Sequence, residues 1–96
     1  MYGLRQEIIE KIKNIASRNN VKIIIFGSRA RGNYKPTSDI DLAVIENITE
    51  EQKYKIIDEI DQIDSEYKID LVFAQNIKNN KFLNEIKKEG IVLWKD

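Results

Sequence analysis

The short apolar run Val21-Lys22-Ile23-Ile24-Ile25-Phe26 stops at Gly27-Ser28, and after ten intervening residues Asp39-Ile40-Asp41 opens a second run, Leu42-Ala43-Val44. Both runs are short, β-branched and apolar, so they read as buried strands rather than helices. A strand that ends on glycine can turn sharply and bring backbone close to a ligand. Ser28 then begins a short helical turn whose free N–H groups, with the hydroxyl, suit phosphate oxygens. Alone, a Gly-Ser pair is more often an ordinary strand-to-helix turn capped by serine.

The second run adds weight. Side chains alternate along a strand, so Asp39 and Asp41 point one way while Ile40, Leu42 and Val44 point the other. Two carboxylates on one side of an apolar strand repel each other unless solvated or neutralised, and a hard divalent cation neutralises them. Pro36-Thr37-Ser38-Asp39 is also good turn chemistry, so a solvated strand start is the competing reading. A third acid decides between them. In Tyr67-Lys68-Ile69-Asp70-Leu71-Val72-Phe73-Ala74, Ile69, Leu71 and Phe73 form the apolar face and Asp70 lies with Lys68 and Val72 on the other. Acids are depleted inside apolar strands, so Asp70 needs a reason. If both strands bury their apolar faces under helices, all three aspartates share the opposite face of one sheet, as two-metal phosphoryl or nucleotidyl transfer requires. The loop adds Arg29 and Arg31, two of only four arginines against twelve lysines. Guanidinium binds phosphate bidentately where ammonium acts as a point charge, which makes both arginines candidate phosphate ligands.

Gly27-Ser28-Arg29-Ala30-Arg31-Gly32, then Ser38-Asp39-Ile40-Asp41-Leu42, then Lys68-Ile69-Asp70-Leu71 resembles the signature of the minimal nucleotidyltransferase (MNT) domains of the DNA polymerase β superfamily. The motifs occupy residues 26 to 42 and 68 to 72, and the order of elements fits nearly the whole chain. The resemblance implies an α/β (α+β) fold: a mixed sheet of about four strands with helices packed mainly on one face. It implies Mg²⁺, as two ions, on Asp39, Asp41 and Asp70, and ATP held by Gly27 and Ser28, with Asp70 placed to assist deprotonation of the acceptor hydroxyl. Small members of the family are commonly encoded beside a HEPN-domain toxin, and some act as antitoxins by transferring AMP from ATP to a tyrosine of that partner. Larger members carry added domains that hold the acceptor. In a chain of this size, acceptor recognition falls to a partner protein, to a second copy or to nothing at all, and a homo-oligomer is compatible. Two alternatives stand beside catalysis: a non-catalytic nucleotide- or partner-binding module that neutralises a toxin by steric cover, and nucleotidyl transfer to a small molecule such as an antibiotic.

Ninety-six residues make a single domain, 1–96, with enough chain for one core without staples. Histidine and cysteine are both absent, which excludes disulfides, Cys/His zinc sites, thiol nucleophiles and Ser-His-Asp triads. Any metal must therefore have oxygen ligands, which favours Mg²⁺ over zinc. The N-terminus lacks a continuous apolar segment, so the expectation is a cytoplasmic protein with neither signal peptide nor membrane span. Sixteen basic residues balance sixteen acidic ones, so the basic footprint of tight duplex binding is missing and nucleic acid is disfavoured as acceptor.

Spacing of Leu4, Ile8, Ile12 and Ile15 predicts an amphipathic helix over 4–18, ended by Asn19-Asn20. Thr49-Glu50-Glu51-Gln52 has the form of a capping box, followed by an apolar stripe of Ile56, Ile57, Ile60 and Ile63 in a helix ending near Asp64. The acidic side of that helix reads as a solvated face. A further helix over 79–89 has Gly90 as its stop, and Ile91-Val92-Leu93-Trp94 suits a last strand, with Trp94 covering the core edge.

Overall fold

The computed structural model describes residues 1–93, so the expectation for Trp94 lies outside the described residues. Element order is α1 (Gln6–Arg18), β1 (Ile23–Phe26), α2 (Ser28–Arg31), β2 (Ile40–Val44), α3 (Glu50–Asp61), β3 (Ile69–Phe73), a 3-10 turn (Ala74–Asn76), α4 (Asn80–Glu89) and β4 (Ile91–Leu93). The four strands form one mixed sheet in the order β3-β2-β1-β4. β1 runs antiparallel to β2 and β4, whereas β2 and β3 are parallel.

Strand alternation divides the apolar residues between two faces. Ile23, Ile25, Ile40, Leu42, Val44, Phe73 and Leu93 pack beneath α1 and α3, meeting Ile8, Ile12, Ile15, Ile56 and Ile60 in the main core. On the opposite face Ile24, Ala43 and Val72 lie in one cross-strand row beneath α4, joined by Ile86 and Phe82. Phe82 reaches further, meeting Phe26 edge to face with ring centroids 5.8 Å apart. The next row along that face, Phe26, Asp41 and Asp70, lies beyond the Ile24 row towards the Gly27 turn.

Local chemistry explains the helix ends. At the end of α1, Asn19 donates its amide to Ile15 O (2.8 Å) and to Glu59 of α3 (3.0 Å), and Asn20 follows with φ 53°. The capping box starts α3: Gln52 N–H donates to Thr49 Oγ1, and Thr49 N–H donates to Gln52 Oε1, each at 3.1 Å. This helix stops at Asp61 rather than near Asp64. Its stripe also splits, because Ile56 and Ile60 are buried while Ile57 is 38% exposed beside β3, the strand at the sheet's edge. Gly90 ends α4 without a left-handed turn, at φ −70°, ψ 148°. Space is what demands glycine there: a Cβ would stand 2.5 Å from Ile86 O and collide with the Ile24 side chain.

Candidate active site

Where β1 ends, Gly27 takes φ 75°, ψ −156°, and α2 begins at Ser28. This conformation strains any residue with a side chain. Space enforces the same choice, since a Cβ on Gly27 would stand 2.5 Å from Asp41 Oδ2. The glycine is thus the wall that lets the Asp41 carboxylate lie against the turn. Within α2, Arg31 N–H donates to Gly27 O at 3.1 Å, and the N–H groups ahead of it lie in the first turn, where a helix has no internal acceptors for them.

Register brings the acids together. Asp41 is the cross-strand partner of Asp70 in the parallel β2–β3 pair, and of Phe26 in the antiparallel β1–β2 pair. Parallel neighbours stand about 4.8 Å apart, so Asp41 and Asp70 project side by side from the face opposite α1 and α3. Asp39 precedes β2 and is exposed. The Asp41 carboxyl is raised above its ordinary value, first by burial, then by the negative charges of Asp70 and Asp39, with Arg31 opposing. Burial is the larger cause, and the two acidic neighbours add to it.

The acids do not, however, form a ready cage: among the described residues no three acidic side chains make a group that could hold a metal ion. Asp70 instead engages Lys68 Nζ at 3.4 Å, a neighbour that strand alternation puts on its own face. The donor set nevertheless suits a hard divalent cation. It is carboxylate only, it is under-neutralised at Asp41, and Gly27 leaves the space that Asp41 occupies.

The two arginines of α2 part company. Arg31 is exposed, donates to Glu89 at 3.0 Å and acts electrostatically on Asp41, so it stays beside the acids. Arg29 does not, and the expectation that it contacts phosphate is corrected. It is 2% exposed. Its Nε and Nη2 donate to Ser38 O at 3.1 and 2.8 Å, and Nη1 donates to Tyr2 O at 2.9 Å. The guanidinium carbon lies 4.3 Å from the Tyr67 ring centroid and 5.1 Å from that of Tyr34. Its fork is therefore used to lock the chain: the N-terminus, the residue before Asp39 and the approach to β3 are tied to α2. No local pattern announces this, because Tyr2, Tyr34, Ser38 and Tyr67 come from separate stretches of sequence.

Among the described residues no helix is long and apolar enough to cross a membrane. The family described as polymerase beta nucleotidyltransferase matches residues 10–96. The Methanocaldococcus jannaschii protein MJ0141, provisionally named a protein adenylyltransferase, is 30% identical over 91 residues, covering 90% of this chain and 91% of that protein. Solved structures with the same fold include a toxin–antitoxin complex with AMP-PNP, at TM-score 0.66 and 23% identity over 92% of this chain and 73% of the other. A second holds a tri-AMPylated Shewanella oneidensis HEPN toxin with its MNT antitoxin, at TM-score 0.62 and 21% identity over 97% of this chain and 74% of the other.

Proposed function

This chain belongs to the polymerase β nucleotidyltransferase family, and from that premise we propose that it transfers AMP from ATP to a tyrosine hydroxyl of a HEPN toxin, acting as an antitoxin. The observation that carries the reading is the β2–β3 register, which seats Asp70 beside Asp41 while Gly27 holds the phosphate turn against Asp41. Relatives point the same way: MJ0141 carries the adenylyltransferase name, and an AMPylated HEPN toxin occurs in a complex of the same fold.

Gly27 and Ser28 bind the triphosphate through backbone N–H groups and the serine hydroxyl, and Arg31 adds a cation at the rim. Asp39 and Asp41, with Asp70 beside them, would hold Mg²⁺ as two ions, which supply positive charge to the triphosphate and to the attacking oxygen. Asp70 takes the proton of the acceptor hydroxyl. The freed oxygen forms a bond to the α-phosphorus, the bond from that phosphorus to the bridging oxygen breaks, and pyrophosphate departs with the electron pair. Lys68 Nζ lies 3.4 Å from the Asp70 carboxylate. The working compartment in this reading is the cytoplasm, where ATP and a HEPN toxin meet.

Incubation with labelled ATP, Mg²⁺ and the product of the adjacent gene tests the proposal, with label expected on a partner tyrosine. Full labelling by an Asp39→Asn/Asp41→Asn variant would sink it, since amides cannot replace charged ligands for a divalent ion. That no three acidic side chains among the described residues form a metal-holding group favours a second reading, in which the chain covers its partner without chemistry. Retained neutralisation by the same variant, with no mass increase on the partner, would select that reading.

A further inference from the structure

The third strand is both the bearer of Asp70 and an open edge of the sheet. Lys68 O accepts from Ile40 N–H at 2.8 Å, so the alternation of a parallel ladder turns the backbone groups of Lys68, Asp70 and Val72 towards β2. Those of Ile69 and Leu71 consequently face outwards, where no strand among the described residues pairs with them, and such groups form a template for another strand. Along this edge, on the side away from Asp70, runs a groove of about 530 Å³ between α3 and β3, lined by Ile57, Ile60, Ile63, Tyr67, Ile69 and Leu71. A second hollow of about 320 Å³ shares Ile57 and Leu71 and carries the groove on to Phe73 and Ile77.

We propose that the acceptor polypeptide docks as an extended fifth strand on the edge of β3, its alternate apolar side chains in the α3–β3 groove and its hydroxyl residue beside Asp70. The proposal rests on the adenylyl-transfer reading and adds to it the form in which the acceptor arrives. Cross-strand partners project to the same face, so a residue opposite Asp70 points at the acids while its two neighbours point into the groove. The required motif is apolar–hydroxyl–apolar. Charge selects the occupant. On α3 the acids Glu50, Glu51, Asp58, Glu59 and Asp61 outnumber Lys53 and Lys55, while Asp61 and Lys68 both line the groove and Lys53 lines the second hollow. A second copy pairing edge to edge would keep its helices on the same side of the joint sheet and set one acidic α3 against the other. A segment with basic residues outside the apolar pair meets the opposite charge instead.

The probe is a synthetic heptapeptide, Lys-Ser-Ile-Tyr-Ile-Ser-Lys, whose isoleucines and lysines share one face. Its binding is read by fluorescence anisotropy in chelator without ATP, so that no metal chemistry enters. Methylating the two isoleucine nitrogens, or separately the tyrosine and serine nitrogens, blocks one or the other edge of the peptide strand. The expected result is a loss of about ten-fold or more confined to one set, the cost of two backbone hydrogen bonds. Ile57→Glu, outside the acid site, should weaken unmodified peptide comparably while leaving ATP affinity unchanged. Equal binding by both methylated peptides, no binding at millimolar peptide, or a homodimer that Ile57→Glu dissociates would each overturn the proposal. With ATP and Mg²⁺ the peptide tyrosine should gain AMP. Edge-specific binding without that gain leaves the docking intact and refutes adenylyl transfer.

Discussion

The cage around Arg29 and the acid strip of Asp39, Asp41 and Asp70 are the two charged regions next to the Gly27 turn, and they treat charge in opposite ways. In the cage a buried guanidinium spends its donors on the carbonyls of Ser38 and Tyr2 and its faces on two tyrosine rings. In the strip, carboxylates crowd together, and burial with mutual repulsion raises the Asp41 carboxyl. The first arrangement satisfies its charge and stabilises the loop. The second leaves like charges side by side, which in the proposed function a divalent cation neutralises.

Removing charge from each region separates these roles. Asp39→Asn/Asp41→Asn should lower AMP transfer by about a thousand-fold or more, since the metal-supplied charge stabilisation goes with the ligands. Because repulsion is relieved, its thermal midpoint should match or exceed that of the wild type. A destabilised variant would show that the strip is structural after all. Arg29→Met reverses the pattern: with part-buried carbonyls left unpaired and the space between the tyrosine rings refilled imperfectly, the expected loss is roughly 2–4 kcal/mol in chemical denaturation. Arg31→Met, at an exposed pair with Glu89, should change stability by less than about 1 kcal/mol. Equal losses for the two arginines would erase the contrast.

Gly27→Ala sharpens the boundary between the regions. Its Cβ would press on Asp41 Oδ2 in a strained left-handed conformation, so a fall of about a hundred-fold in transfer is expected, with a stability loss of only about 1–2 kcal/mol. The smallest effect lies away from both regions. Burial acts to raise the Glu59 carboxyl, but hydrogen bonds from Arg18 and Asn19 outweigh it and hold it below the ordinary 4.5. A depressed carboxylate contributes stability that is full above its unfolded value and fades as pH falls through the folded one. Urea titrations should therefore show Glu59→Gln costing less than about 1 kcal/mol at pH 7, with the difference from wild type shrinking below about pH 4.5.

Features set by near neighbours in the chain were legible beforehand. Helix α1 followed from its apolar period, the start of α3 from Thr49 and Gln52, and the shared direction of Asp39 and Asp41 from strand alternation. Asp70 was legible as an acid in an apolar strand, and the register then put it opposite Asp41. Arg29 misled because α2 placed it next to a phosphate-type turn, and nothing within a few residues reveals that Tyr2, Tyr34 and Tyr67 converge on it. Ile57 misled in a similar way: its helical spacing matched its buried neighbours, yet the edge position of β3 left it half uncovered.

Sequence by itself determined the strands, the capped helices, the glycine turn and the identity of the acids, because these depend on backbone preference and side-chain period over a few residues. Tertiary structure alone decided the β3-β2-β1-β4 order, the pairing of Asp41 with Asp70, the enclosure of Arg29 and the open edge beside the groove. Those depend on which distant segments come to lie together, and local periodicity has no term for that.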